Sequence, residues 1–277
     1  MNIDEIIEPF QPQSALRVLR LTNDWEKIIK SLPLFDVAAT VYRCGHGLHC
    51  IKGMSNALKV VSQRAFYTQG FRGFSTDLEC WSEAWFYHEE RYGHLYPCIE
   101  IADHLGQGLL KLCFREISLS ESDENCLKEL FVEEADEWSI LHLHPSNMID
   151  NTDALHMSRK TIFNSVIREI QMESMQLDAE VGVILRSKNQ SSWDSLHATD
   201  LSLEGWVGFG KNGDYITLLP NEYQDAEVIS HSGRSIANFY NESGCSSLSI
   251  IEINSRKLET MQKLERFLAS DNYKGNY

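Results

Sequence analysis

The chain has 277 residues and is 43% hydrophobic, so it can bury a sizeable core as one large or two ordinary domains. Its 25 Lys and Arg residues against 40 Asp and Glu residues give a formal net charge of −15, which argues against a nucleic-acid partner because phosphate binding needs a clustered basic surface. The seven scattered cysteines indicate neither a disulfide framework nor a zinc ribbon, and the lack of a signal segment or an apolar membrane span favours a cytoplasmic protein.

The first half begins with a short amphipathic helix. In NDWEKIIKSLP, Asn23 is a good N-cap, Pro33 ends the helix, and the apolar residues recur at helical spacing. From Phe35 to Phe114, short β-branched and aromatic runs are broken by glycines, which is typical of an antiparallel sheet built from hairpins. An acidic helix is then predicted in DENCLKELFVEEADEW, with an apolar stripe made by Leu127, Leu130, Phe131 and Trp138.

The second half follows a polar, proline-containing linker over residues 141–152. A helix is predicted from about Asp153 to about Met175, strand-like segments from Ala179 to Tyr240, and a last helix with Ser255 as its cap. The order of helix, sheet, helix, linker, helix, sheet and helix predicts an α+β fold with segregated antiparallel sheets.

One pattern occurs twice in the chain. The spacing of Glu, three residues, His, one residue and Gly begins at Glu100 and again at Glu227, and neighbouring glycine-punctuated aromatic segments pair in the same order. We therefore predict a duplicated unit, with a first repeat over residues 15–140 and a second repeat over residues 153–270. The second repeat is shortened, because 14 positions separate Gly213 from Glu227 where 27 separate Gly73 from Glu100.

The densest group of candidate metal-binding side chains surrounds the linker. No phosphate loop, dinucleotide fingerprint, HExxH motif or nucleophile elbow occurs in the sequence. His142 and His144 form an HxH pair that would place both imidazoles on one side of a strand, as in a metal site; the alternative is two surface or capping histidines beside a proline.

His156 differs from this pair because two cations accompany it. Arg159 and Lys160 follow at i+3 and i+4, so all three side chains share one face of the predicted helix. A neutral imidazole there could ligate a metal while the cations receive anionic groups, as a haem with its propionates requires. The alternative interpretation is an ordinary half-exposed helix residue.

The order of several stretches resembles the HemS/ChuX family of cytosolic haem-utilisation proteins, particularly its two-repeat members. The segment from residue 24 to 53, DWEKIIKSLPLFDVAATVYRCGHGLHCIKG, is similar to the family's opening helix, turn and strand pair. GFSTDLECWSEAWFYHEE places Trp81 at the family's Trp position, and YPCIEIADHLGQGLLKLCF places Lys111 at the Lys of its characteristic hairpin. AEVISHSGRSIANFY is similar to the later hairpin of the family. The resemblance covers about residues 20 to 270.

This resemblance implies a duplicated α+β fold, each unit a large antiparallel β-sheet flanked by helices, that binds haem between a sheet and a helix. The family's axial His lies in a "TDxH" segment between the halves, which makes His156 in TDALH the implied iron ligand and leaves His144 as the alternative. Arg159 and Lys160 would then face the propionates. The family's distal "DLR" Arg is replaced by Ser75, with Arg72 three residues earlier as its possible substitute.

Three functions are consistent with these observations. The first is a cytosolic haem carrier in iron utilisation, with a haem transporter or a haem oxygenase as transfer partner. The second is oxidative haem degradation by the same fold with an external reductant, where haem supplies the chemistry. The third is a haem-less scaffold that binds a protein partner, which the shortened second repeat and the ambiguity between His156 and His144 as ligand favour.

Overall fold

The computed structural model describes residues 18–45, 47–53, 58–91, 93–116, 119–135, 157–199, 207–212, 214–220, 223–241, 244, 247–253 and 257–270. For residues 90, 91, 134, 135 and 157–162 it describes the backbone alone. The chain divides into two compact units. Unit 1 comprises residues 1–43, 50–69 and 74–150, and unit 2 comprises residues 44–49, 70–73 and 151–277.

The strands that precede residue 136 are mostly joined as hairpins. They are β1 (Val18–Leu21), β2 (Val37–Cys44), β3 (Gly47–Lys52), β4 (Lys59–Val61), β5 (Arg64–Gln69), β6 (Arg72–Asp77), β7 (Glu83–Arg91), β8 (His94–Ala102), β9 (Gly108–Phe114) and β10 (Phe131–Ala135). In unit 1 six of them pair antiparallel in the order β10–β1–β7–β8–β9–β2. All seven residues of β9 are buried, so both faces of the sheet are covered at this strand.

Two helices of unit 1 pack beside this sheet. They are α1 (Trp25–Ser31), which continues into a 3₁₀ turn at Leu32–Leu34, and α2 (Glu121–Leu130). The cap of α1 is Asp24, whose carboxylate accepts the Lys27 backbone N–H at 3.1 Å, and not the expected Asn23. A Ser120–Asp123 capping box begins α2.

The acidic helix is shorter than the sequence predicts. It ends at Leu130, and Phe131 begins β10, which pairs with β1 through the register Phe131–Leu21. The apolar stripe therefore contains Leu127 and Leu130 but not Phe131, which is largely exposed on a strand. Trp138 lies outside the described residues.

Seven strands of unit 2 that follow residue 179 pair antiparallel with one another. They pair in the order β15–β16–β17–β11–β12–β13–β14, with the bounds β11 (Glu180–Ser187), β12 (Gln190–Thr199), β13 (Val207–Lys211), β14 (Asp214–Leu218), β15 (Asp225–His231), β16 (Arg234–Tyr240) and β17 (Ser247–Glu252). The turn between β15 and β16 contains only Ser232 and Gly233, both with positive φ (51° and 76°), as a type I′ hairpin requires.

Two helices cover one face of the unit 2 sheet. They are α3 (Met157–Gln176), which agrees with the helix predicted from about Asp153 to Met175, and α4 (Glu259–Leu268). Phe163 of α3 packs edge-on against Phe239 at 6.4 Å, and Ile167 and Ile170 are fully buried. The expected cap Ser255 lies outside the described residues; the residue before α4 is Leu258, which has no capping side chain.

The backbone N–H groups that begin α4 are bound by a side chain of α3. Both oxygens of the Glu173 carboxylate accept hydrogen bonds, from the N–H of Glu259 at 2.5 Å and of Thr260 at 2.9 Å. Orphan donors at a helix start need such an acceptor, and α4 obtains it from its neighbour.

The segment 44–49 is fixed within unit 2 by two residues. Gly47 lies so close to Leu185 and Thr217 that an added Cβ would overlap the Leu185 side chain and stand 3.0 Å from the Thr217 carbonyl oxygen. His49 is fully buried, and its ring nitrogens contact the Ser192 hydroxyl and, at 3.2 Å, the Asp194 carboxylate. His49 therefore supports packing and has no open side for a ligand.

In the part of the chain that the structure describes, no helix is both long and apolar enough to cross a membrane.

Candidate functional site

The predicted site residues are only partly described. His144 and His156 lie outside the described residues, and Arg159 and Lys160 lie in the first turn of α3, where only the backbone is described. That helix begins at Met157, the residue after His156. The proposed role of these four residues therefore stays a prediction.

Arg72, at the start of β6, is described together with its ion-pair partner. Its guanidinium donates to the Asp214 carboxylate of β14, and both side chains are largely buried, at 20% and 13% exposure. The positive charge of Arg72 is thus already neutralised within unit 2. A haem propionate would have to compete with Asp214 for this guanidinium.

The side of the unit 2 sheet that faces away from α3 is half-exposed, and we call it the open face. Burial alternates along β11 and β12, with Val183, Leu185 and Leu196 buried and the residues between them partly exposed. Such alternation is expected when one face of an antiparallel sheet packs on a core and the other meets solvent. The strand register places the residues of the open face in rows.

Three rows of side chains cross five neighbouring strands of the open face. The register aligns Ile229, Ile236, Ile251, Gly182 and Ser195 in one row; Glu227, Asn238, Ser249, Ile184 and Trp193 in the next; and Asp225, Tyr240, Ser247, Arg186 and Ser191 in the third. The first row and the Ile184–Trp193 end of the second row contribute a partly exposed apolar surface with one indole, while the other end of the second row is polar. The third row is polar and carries the guanidinium of Arg186. A flat apolar ligand with an anionic edge would match this distribution.

A chain of hydrogen bonds runs through the polar part of the open face. Arg186 donates to the Ser249 hydroxyl at 3.0 Å, Ser249 donates to the Asn238 amide oxygen at 2.6 Å, and Asn238 donates to the Glu227 carboxylate at 3.0 Å. The Tyr240 hydroxyl donates to the same carboxylate. Partial burial and then the Glu227 carboxylate raise the pKa of Tyr240 to about 12, so this phenol stays protonated near neutral pH.

His197 lies on the open face, on β12, and His231 lies on the same face at the end of β15. His197 is the register partner of Glu180, and its Nδ1 atom lies 3.3 Å from the Asp178 carboxylate. The Glu180 carboxylate accepts hydrogen bonds from Lys211 and Ser195, which lower its pKa. A metal-binding His usually donates one ring N–H to a carboxylate. The Nδ1 atom of His197 makes no such hydrogen bond among the described residues. Sequence reasoning did not select His197.

The equivalent region of the unit 1 sheet is buried and carries charges. We call it the buried cluster; its members are Tyr87, Glu89, Cys98, Glu100, Lys111 and Cys113, all at most 7% exposed. Lys111 donates to Glu89 at 2.6 Å, Tyr87 donates to Glu100, and the Cys98 thiol lies 3.6 Å from Glu89 Oε2. Each buried carboxylate therefore has a donor.

Burial and neighbouring charges shift the protonation of this cluster. Burial lowers the pKa of Lys111, but Glu89, Cys98, Cys113 and Glu100 together more than offset this and the pKa is raised, so the ammonium is retained. Burial, and next Glu100, raise the pKa of Tyr87 well above its usual value, so its hydroxyl remains a donor. Lys111, which matches a family position in sequence, is therefore an internal ion-pair partner and not a residue that reaches a ligand.

The two units together define an α+β protein whose large antiparallel sheets are flanked by a few helices. This architecture is similar to ChuS, an E. coli haem oxygenase, with a TM-score of 0.63 and 12% sequence identity over 91% of this chain and 89% of ChuS. It is equally similar to holo-PhuS, a haem-binding protein from Pseudomonas aeruginosa, with a TM-score of 0.63 and 12% identity over 90% of this chain and 86% of PhuS. The chain therefore has the ChuS and PhuS fold along most of its length, as the sequence resemblance predicts.

No protein-family model matches the sequence, and no curated protein matches it. The likeness is one of fold, and the function must be argued from the residues of this chain.

Proposed function

We propose that this protein binds haem in the cytoplasm, as a carrier in haem and iron utilisation. The observation that carries the proposal is the open face of unit 2, which presents two partly apolar rows beside a polar row with Arg186. It lies on a fold that is similar to that of a haem-binding protein and of a haem oxygenase. We further propose that the two units are copies of one duplicated element.

The described residues of the open face fit a porphyrin in chemistry. Trp193, Ile184 and Ile251 offer apolar contact to a planar ring, and the Arg186 guanidinium can pair with a propionate. Bound haem would supply the iron and its redox chemistry. The Ser249 hydroxyl accepts a hydrogen bond from Arg186 Nη1, which helps to orient the guanidinium.

Two placements of the iron ligand follow from different observations. The family resemblance implies His156, or His144 as its alternative, and His156 directly precedes α3, which packs on the covered face of the sheet. His197 lies on the open face itself, with Asp178 beside its Nδ1 atom. The two placements differ in the face of the sheet on which haem is expected.

A haemin titration followed by Soret absorbance tests the function, with His144→Ala, His156→Ala and His197→Ala beside the parent chain. We expect saturation near one haem per chain and an altered spectrum with only one of the three variants. His104→Ala, which changes an exposed turn histidine outside these sites, is the matched control. If no saturable shift is found in the parent chain, the haem proposal is wrong.

A second assay distinguishes oxidative haem degradation from haem carriage. Addition of ascorbate and oxygen to the loaded protein would release iron and a linear tetrapyrrole if the chain degrades haem, while a carrier would return intact haem to an acceptor such as apomyoglobin. Transfer to a haem oxygenase, or receipt from a haem transporter, is the expected partner step of a carrier.

A haem-less scaffold that binds a protein partner is the second candidate function, and one observation favours it. Arg72, the proposed substitute for the family's distal Arg, is paired with Asp214, and Lys111 is paired with Glu89. Arg72, the proposed substitute for the distal Arg, is thus neutralised by a carboxylate, and so is Lys111, which matches the Lys of the family's hairpin. Asp214→Asn removes the carboxylate of the Arg72 ion pair; stronger haemin binding by this variant would support a role of Arg72 at the ligand, and unchanged binding would support its purely structural role.

A further inference from the structure

Three potential metal ligands meet inside the unit 1 sheet. The Glu89 carboxylate and the thiols of Cys98 and Cys113 each offer one donor atom, and these atoms lie within 4.8 Å of one another. The side chains are 7%, 0% and 1% exposed. Neither thiol is in a disulfide.

The strand register explains why these side chains converge. Cys98 of β8 lies directly opposite Cys113 of β9, so both sulfurs project from the same face of the sheet. Tyr87 of β7 lies opposite Cys98, and Glu89, two residues further on, projects from that same face. Three adjacent strands thus each contribute one donor to one point in the interior.

The two oxygens of Glu89 have different neighbours. Oε1 accepts the Lys111 ammonium at 2.6 Å, while Oε2 lies 3.6 Å from Cys98 Sγ. Oε2 can therefore ligate an ion beside the sulfurs while Oε1 keeps its hydrogen bond to Lys111. Ligating carboxylates are commonly held by such an outer partner, which fixes their orientation.

The charges also balance around a divalent ion. When a divalent ion binds, the two thiols each lose a proton to solvent, and the two thiolates with the Glu89 carboxylate carry three negative charges. The ion contributes two positive charges and Lys111 contributes one. The four side chains and the ion are then neutral together, as are the four side chains alone with both thiols protonated. Binding therefore does not change the net charge of the buried cluster, which also contains Glu100.

We propose that Glu89, Cys98 and Cys113 bind one thiophilic divalent metal ion, with Zn²⁺ as the best match, inside the unit 1 sheet. Thiolate and carboxylate are both ordinary Zn²⁺ ligands, and three protein ligands with a fourth position left open is a common zinc arrangement. The ion would enter while the chain folds, because the donors are enclosed in the folded state. The site is separate from the proposed haem site.

Cobalt substitution is the direct test and needs no haemin. The full chain is unfolded in denaturant, refolded under argon with a non-thiol reductant and one equivalent of Co²⁺, and freed of excess metal. We expect a sulfur-to-cobalt charge-transfer band in the near ultraviolet and tetrahedral ligand-field bands in the visible. Refolding with one equivalent of Zn²⁺ before Co²⁺ is added should give neither band.

Matched cysteine variants locate the site. Cys98→Ser and Cys113→Ser should each lose most of the charge-transfer intensity, while Cys126→Ser, which changes another buried thiol on α2, should keep it. Glu89→Gln retains both thiols and should weaken Co²⁺ binding by at least about ten-fold, the scale at which loss of a ligand or its support is felt.

If these variants fail to fold, cysteine alkylation in the parent chain tests the same site. Zn²⁺ should slow alkylation of Cys98 and Cys113, read by peptide mass spectrometry in mild denaturant, and should leave the other cysteines unaffected. The proposal is overturned if Co²⁺ gives no sulfur charge transfer, if the intensity survives in folded Cys98→Ser and Cys113→Ser, or if Zn²⁺ protects other cysteines instead.

Discussion

The hairpins β8–β9 and β15–β16 share one cross-strand arrangement but differ in how deeply it is buried. Both place a Glu opposite a polar residue across the strand pair, Glu100 opposite Lys111 in unit 1 and Glu227 opposite Asn238 in unit 2. In unit 1 the surroundings are buried and contain a full positive charge. In unit 2 the Glu is exposed, and its partners are a neutral amide and a phenol.

The difference follows from the cost of burying a carboxylate. An ionised carboxylate in an apolar interior requires a charged or strongly hydrogen-bonded partner, whereas at a half-exposed face water completes its solvation. The same Glu, His and Gly spacing in the two hairpins therefore does not give the Glu carboxylates the same partners. The buried hairpin holds a fixed charge cluster, and the open hairpin forms part of a half-exposed surface.

Removing the buried cation should have the largest effect. Lys111→Met leaves the Glu89 carboxylate without its ammonium partner in the interior, and we expect a loss of about 3–5 kcal/mol in the free energy of unfolding. Asn238→Ala, at the matching position of the open hairpin, should cost only about 0.5–1.5 kcal/mol. Urea unfolding followed by circular dichroism measures both.

The double variant Glu89→Gln with Lys111→Met tests whether the unpaired Glu89 charge causes the loss of stability. It removes both charges, so it should be more stable than Lys111→Met alone. Equal losses for Lys111→Met and Asn238→Ala would contradict the distinction between the two hairpins.

Removal of the phenol hydroxyl should likewise cost more stability in unit 1 than in unit 2. Tyr87→Phe removes the donor to the fully buried Glu100 carboxylate and should cost about 1–3 kcal/mol, because that acceptor cannot turn to water. Tyr240→Phe should cost about 1 kcal/mol or less, since Glu227 is solvated. Thermal or urea unfolding of the two variants provides the comparison, and a reversed order would show that the Glu100 side has another donor.

The smallest effect should be a loss of stability at alkaline pH. The folded-state pKa of Tyr240, about 12, exceeds the ordinary value of 10, so its contribution is complete below pH 10 and is lost as pH rises through 12. Because the phenol is only partly buried, we expect at most about 1 kcal/mol. The urea midpoint of the parent chain should fall more between pH 9 and pH 11 than that of Tyr240→Phe; parallel curves would contradict the assignment.

Much of the architecture could be predicted because it is local. The hairpin turn at Ser232 and Gly233 and the apolar spacing of α3 are written in short stretches of sequence. The end of α2 could not be found in this way, since Phe131 leaves the helix to pair with β1, which lies more than 100 positions earlier. Such tertiary pairing overrides local helix spacing.

The candidate sites were less predictable than the fold. The open face has a sequence signal, because QSSWDSLHAT alternates polar and apolar residues along β12 and so marks Trp193 and His197 as neighbours on a strand. No local sequence signal predicts that Glu89 and Lys111 meet in the buried cluster, because they are 22 positions apart and charged residues are usually exposed. Their meeting depends on the pairing of three strands.

The Glu173 carboxylate also has a dynamic consequence. Since it binds the first N–H groups of α4, fraying of α3 at this turn removes the acceptor on which the start of α4 depends. The two helices should therefore open as one cooperative unit, and amide hydrogen exchange at Thr260 should follow the exchange of the α3 residues around Glu173.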